Sequence, residues 1–168
     1  KNQNFVIDDH TLSFCFTRVL LTNDDHQIES LQNLIEYDEK HNHCIDLNQQ
    51  LITGKTFYTS IDPSNENIST IIQFLLNHNA DPNRPDKFGI YPLQYAIETK
   101  SYEYVKTLIE SQKVDYSIRL NQSTLFRAEI KNETYLHLAA RCNDKNILKI
   151  FIDGNFIDIN STDDLGET

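Results

Sequence analysis

Apolar residues recur at three- and four-residue intervals in four separate stretches of the chain. They are Ile28, Leu31, Leu34 and Ile35; Ile68, Ile71, Ile72, Leu75 and Leu76; Val105, Leu108 and Ile109; and Ile147, Leu148, Phe151 and Ile152. Such spacing places the residues on one face of a helix, so each stretch predicts a helix with one buried side. Shorter apolar segments precede them: Thr11-Leu12-Ser13-Phe14-Cys15, Phe57-Tyr58, Leu93 to Ala96, and Tyr135 to Ala140. These predict a second, shorter set of helices. Pro63 cuts the second of them short, and Ser64, Asn65 or Asn67 can cap the long helix that follows.

The turns between the helices repeat. An apolar-Asp-x-Asn turn occurs as Asp46-Leu-Asn48, Asp81-Pro-Asn83 and Asp158-Ile-Asn160, and Asp115 holds the same place without the Asn. A glycine follows eight residues after three of these aspartates, as Gly54, Gly89 and Gly166. An apolar anchor precedes by ten, as Ile71 before Asp81, Val105 before Asp115 and Leu148 before Asp158. Two interlocking spacings of this kind are the signature of a repeat protein, in which each unit buries its apolar face against its neighbours.

The pattern resembles the ankyrin repeat. The family's Gly-x-Thr-Pro-Leu-His-x-Ala opening is matched by Gly89-Ile-Tyr91-Pro92-Leu93-Gln94-Tyr95-Ala96 and by Asn132-Glu-Thr134-Tyr135-Leu136-His137-Leu138-Ala139. Its Gly-Ala-Asp-x-Asn closing is matched by Asn79-Ala80-Asp81-Pro82-Asn83. Asn132 replaces a glycine, and Asn is the next-best residue for a left-handed backbone. The resemblance implies an all-α solenoid of helix-turn-helix repeats joined by hairpin-like loops. One domain over 1–168 is expected, with repeats at roughly 8–48, 54–83, 86–116 and 129–160 and a truncated fifth from 163. The absence of Met and the break at the opening of a repeat suggest a piece of a longer protein.

One interval departs from the rest. Asp115 to Asn132 spans seventeen residues, which places an insertion at roughly 117–129 carrying Ile118, Leu120, Leu125 and Phe126 beside Arg119 and Arg127. Long loops with large apolar residues either fold back onto the repeats or offer a contact surface.

Composition narrows the functional classes. A formal net charge of −10 argues against nucleic acid, which needs a surplus of Lys and Arg on one face. No apolar run is long enough to cross a bilayer. Three scattered cysteines, Cys15, Cys44 and Cys142, make a poor disulfide framework and suit a reducing compartment, so a cytoplasmic monomer is expected.

Candidate chemistry is thin. His41, His43, Cys44 and Asp46 lie within six residues, but structural zinc draws on separated ligand pairs and Asp46 already serves a repeat turn. Thr53-Gly54-Lys55-Thr56 resembles the tail of a phosphate-binding loop, yet Gln49 stands where that motif requires glycine. His137 and Cys142 are five apart, which is not face to face on a helix. Neither a metal, a cofactor nor catalysis is expected within these residues.

What remains is a protein-binding surface. In ankyrin-like stacks partners bind the loop tips and first helices, which line a concave groove. Carried over by position, that face comprises Arg84, Lys87, Phe88, Ile90, Tyr91, Glu98 and Thr99 in the third unit. It continues through Lys131, Glu133 and Arg141 in the fourth. The expected function is a protein-protein interaction module; the alternative is a targeting or substrate-recruiting part of a larger enzyme. Ile outnumbers Val by 19 to 4 and Lys outnumbers Arg by 10 to 5, which hints at an AT-rich genome and a bacterial effector delivered into a host cytosol to act on a host protein.

Overall fold

The computed structural model describes residues 9–41, 45–121 and 132–168, with side chains from Thr11 onward. Eight helices are found among them: α1 (Asp9–Leu20), α2 (Gln27–Lys40), α3 (Phe57–Ser60), α4 (Ile68–Asn77), α5 (Pro92–Glu98), α6 (Tyr102–Glu110), α7 (Tyr135–Cys142) and α8 (Lys145–Gly154). They form four pairs. Across the pairs α3, α5 and α7 pack in sequence as one layer, while α4, α6 and α8 stack behind them as a second.

The short helices start where sequence chemistry fixes their first turn. Thr56 accepts from the Thr59 amide at 3.2 Å, and the Thr56 amide donates back to Thr59 Oγ1 at 3.1 Å. Thr134 and His137 repeat the arrangement, with the Thr134 amide 3.2 Å from His137 Nδ1. In the pair between them Gln94 Oε1 accepts from the Tyr91 amide at 3.3 Å, and Pro92 sets the first helical φ. Pro63 follows α3, which is four residues long as expected. None of the three cap candidates caps α4 with its side chain: Asn67 holds the cap position without such a bond, and Asn65 closes the turn before it, its Oδ1 accepting from the Asn67 amide at 2.7 Å while its buried Nδ2 reaches Gln27 Oε1 at 3.2 Å.

The core runs unbroken along the stack. Phe16 of α1 meets Phe57 of α3 edge to face at 5.3 Å, and Ile71, Ile72, Leu75, Val105, Leu108, Ile147 and Phe151 are buried between the layers. Ala96 and Ala139 are fully buried where α5 and α7 approach. Buried tyrosines tie the units together, between pairs and within one, through their hydroxyls. Tyr104 donates to Tyr58 O at 2.7 Å, and Tyr58 donates to Ala80 O at 3.0 Å.

The Asp-x-Asn turns hold the loops in line. In each, the aspartate accepts from the amide two residues on, as Asp81 Oδ1 does from Asn83 at 2.9 Å. The asparagine then reaches the next turn. Asn48 donates to Asn79 O at 3.2 Å and accepts from the Asp81 amide at 2.7 Å. Asn83 donates to Lys113 O and accepts from the Asp115 amide, both at 2.8 Å. At the third turn Ser117 is too short to follow and its hydroxyl folds back on Asp115 at 2.6 Å. There the Tyr116 ring stacks on Phe156 at 4.9 Å.

Each turn leads into a finger-like loop, and in all but the third a glycine stands near the tip. Asp86 donates its amide to Ile90 O and accepts from the Phe88 and Ile90 amides, which leaves Gly89 at φ 78°. Asp163 builds the same loop around Gly166 at φ 76°. The third finger shows where the additional residues lie. Leu120 and Glu133 exchange both backbone hydrogen bonds, at 2.8 and 3.0 Å. They stand where Asp86 and Ile90 stand, so the insertion falls between 120 and 133 instead of at 117–129. Ser117 closes the preceding turn, Ile118 packs against the core and Leu120 is buried. Leu125, Phe126 and Arg127 lie outside the described residues. Asn132 takes φ 59°, the left-handed conformation that its glycine-like position demands.

Candidate protein-binding face

The fingers expose what the stack does not use. In the second finger Arg84, Lys87 and Phe88 are exposed, and the Lys87 ammonium lies 4.9 Å over the Phe88 ring. Tyr91 and Thr99 are half-buried, the latter donating from Oγ1 to Tyr95 O at 2.8 Å. Ile90 and Glu98 are buried, Ile90 beneath the finger and Glu98 accepting from Gln94 Nε2 at 3.0 Å. Their side chains serve the fold and offer little surface to a partner.

In the fourth unit the Arg141 side chain is 36% exposed and its guanidinium pairs with Glu133. Glu133 itself is buried at the base of the third finger, and its Oε2 has no hydrogen-bond partner. Burial pushes this carboxyl above the ordinary glutamate range, against the pull of Arg141 and His137. Lys131 lies outside the described residues. So the nine described positions form no single exposed patch: Arg84, Lys87 and Phe88 sit together, and Arg141 stands on α7 in the next unit.

The fingers also carry surface that the family pattern did not single out. Ile52 is 100% exposed and Leu165 is 68% exposed, beside 51% for Phe88. Each stands one or two residues before the finger glycine, Gly54, Gly89 or Gly166, and that spacing was the available signal. At the first unit Phe14 of α1 and Leu21 just after it are exposed as well, and with Leu51 and Ile52 they line a recess of about 560 Å³. Lys55 closes part of it and places its ammonium 5.6 Å over the Tyr95 ring. Tyr95 is half-buried, with its hydroxyl on Ile61 O at 3.3 Å, so its role is shared between stack and surface.

The residues considered for chemistry are occupied elsewhere or fall outside view. His41 stacks on Tyr37 at 4.1 Å with Nδ1 2.8 Å from Tyr37 O, and Asp46 accepts from the Asn48 amide. His43 and Cys44 are outside the described residues. His137 caps α7, and Cys142 is buried, with burial the main cause of a thiol held above its usual range. A raised thiol is the opposite of an activated nucleophile.

A family model of ankyrin repeats matches residues 61–163 in three copies. The chain belongs to the ankyrin repeat family. The match begins after α3, and the first helix pair lies ahead of it, joined to the matched part through the Asn48 bonds to Asn79 and Asp81. No curated protein matches the chain. Ankyrin repeats are in general protein-protein interaction modules without catalysis of their own, and the exposed finger tips fit that use. No helix among the described residues is long and apolar enough to cross a membrane.

Proposed function

We propose that this ankyrin repeat chain binds a protein partner through its finger tips and the adjoining layer of first helices. One observation supports this most directly: three of the four fingers, at Ile52, Phe88 and Leu165, raise an apolar side chain into solvent. Apolar tips on otherwise hydrogen-bonded loops bring anchor residues to a partner with little ordering cost, because the loops are already fixed. Arg84 and Lys87 beside Phe88 give the middle tip a positive edge on a chain of net charge −10, which favours an acidic or aromatic counterpart there. The partner meets a preformed surface, so little backbone rearrangement accompanies binding.

The narrower reading, an effector acting on a host protein in its cytosol, draws its support from composition. Affinity capture from host lysate with the wild-type chain and with Arg84→Glu and Phe88→Ala tests both. Partners lost with either variant, at unchanged helicity, support the finger face. Retention of the same partners by both variants removes it.

A further inference from the structure

The valleys between successive first helices are not filled alike. The fourth residue after the cap residues Thr56, Tyr91 and Thr134 is Ser60 for α3, Tyr95 for α5 and Leu138 for α7. Leu138 is fully buried, and Tyr95 leans back across its valley to donate its hydroxyl to Ile61 O at 3.3 Å. Ser60 is too short to cross, and its hydroxyl folds onto Phe57 O at 2.7 Å. The valley it leaves is the recess of about 560 Å³, within the range of sites that take a small-molecule-sized group. Its walls come from two adjoining units, α1 on one side and Ser60 with the first finger on the other, so the opening lies within the stack and not at an end face. Those walls are tied in place: Gln49 Nε2 donates to Ser13 Oγ at 2.6 Å, and the Leu51 amide donates to Lys55 O at 2.8 Å.

Charge narrows what the recess can hold. Phe14, Leu21, Leu51 and Ile52 make the lining largely apolar, and Lys55 is the one charged residue among the described residues that line it. The Lys55 ammonium lies over the Tyr95 ring and makes no ion pair among the described residues. Beside it the Lys87 side chain lies against Gly54, with Arg84 exposed on the same finger as Lys87. Asp62, just after α3, is turned onto Ser64, accepting from its amide at 2.9 Å and its hydroxyl at 2.7 Å, and does not line the recess. We infer that this recess takes one aromatic side chain, Tyr or Phe, from an acidic segment of the partner protein, whose carboxylates meet Lys55 and Lys87. The ring follows from the repeat itself, because Tyr95 fills the next valley, and the acids follow from the ammonium groups at the edge. The inference rests on the partner-binding face proposed above and names the chemistry of the partner there. A second copy of this chain fits less well, because two whole molecules of net charge −10 repel.

The test is calorimetry on the intact chain with a short peptide carrying one Phe among Glu and Asp, and with two counterparts. One counterpart has Ala in place of Phe, and the other has Lys in place of the acids. The acidic Phe peptide is expected to bind one to one, more weakly at high salt. The Ala peptide is expected to bind at least about tenfold more weakly, the scale of one buried aromatic ring, and the basic peptide not at all. Ser60→Tyr gives α3 the side chain that α5 carries and is expected to keep the helicity while abolishing binding. Leu21→Ser and Lys55→Glu leave that helix untouched and are each expected to weaken binding about tenfold, while Phe88→Ala leaves it unchanged. The inference is overturned if the Phe peptide does not bind, if either counterpart binds as tightly, or if folded Ser60→Tyr or Leu21→Ser binds like the wild type. In any of these cases the finger face is judged separately, by lysate capture with Phe88→Ala. Self-association of the unliganded chain that Ser60→Tyr removes would seat a second copy in the recess and overturn the inference too.

Discussion

The Asn bridges between successive turns are the feature most exposed to a direct test. Asn83→Ala deletes two cross-turn hydrogen bonds of 2.8 Å, one to Lys113 O and one from the Asp115 amide. Both backbone groups are near solvent, so water replaces the lost partners and no buried group is stranded. Each bond then contributes its net value of about 0.5–1.5 kcal/mol, and the low half applies at an exposed site, which gives a loss of about 1–2 kcal/mol in total. In a repeat stack that loss falls on one seam before it is felt globally. Urea unfolding measures the total, and hydrogen exchange at the Asp115 amide measures the seam. Asn83→Asp keeps the acceptor for Asp115 but loses the donor to Lys113 and adds a charge beside Asp81 and Asp115, so it should cost at least as much as alanine. Ser117→Asn is the converse, since it supplies the side chain that the third turn lacks and should gain up to about 1 kcal/mol. An unchanged urea midpoint for Asn83→Ala, with the Asp115 amide still protected, would refute the reasoning.

Three further outcomes are expected from the interior and the helix ends. Ala139→Leu forces volume into the fully buried contact of α5 with α7 and should cost about 1–3 kcal/mol or more, read as a lower urea midpoint. Gln112 holds φ 56° after α6, a conformation that strains a non-glycine residue, so Gln112→Gly should stabilise by about 0.5–1 kcal/mol despite the looser unfolded chain. Burial raises the phenols of Tyr58, Tyr104 and Tyr135 above the usual tyrosine range. Their contribution is intact below about pH 10, where unfolded tyrosines ionise, and is lost as pH rises beyond it by about 1.4 kcal/mol per pH unit for each. The tyrosinate absorbance of these three, out of eight tyrosines, should therefore appear together with loss of helix on alkaline titration; ionisation of all eight in a still-folded chain would contradict the burial.

The helices and their order were legible because the repeat marks itself at every turn. Ile71, Val105 and Leu148 sit at a fixed distance from the aspartates, and the same residues pack at matching places between the layers. The insertion was misplaced because the third turn lacks its landmarks. Ser117 replaces the Asn that marks the turn, Leu120 stands where Asp86 and Asp163 open the other fingers, and no glycine follows. Only the paired backbone bonds of Leu120 with Glu133 fix the true position. The burial of Glu98 and Glu133 was hidden for a different reason. A charged residue reads as surface unless its partner is known, and those partners, Gln94 on the preceding helical turn and Arg141 eight residues on, are set by geometry.

The same accounting separates stability from recognition within each finger. The residues that make the finger's hydrogen bonds are bound to the fold: Asp86 and the Ile90 amide within the loop, Asn83 and the Lys87 amide across the stack, the Lys87 amide reaching Gly54 O at 2.8 Å. Side chains at the tip carry no such duty. Phe88 and Leu165 are held by backbone amides on Asp86 and Asp163, so their side chains can change while the loop stays closed. Phe88→Asp and Leu165→Asp should each move stability by less than about 0.5 kcal/mol, as exposed substitutions do, while abolishing whatever binding depends on an apolar tip. Loss of stability by more than that in either variant would mean that the tips hold the stack together, and the division between scaffold and contact surface would have to be drawn elsewhere.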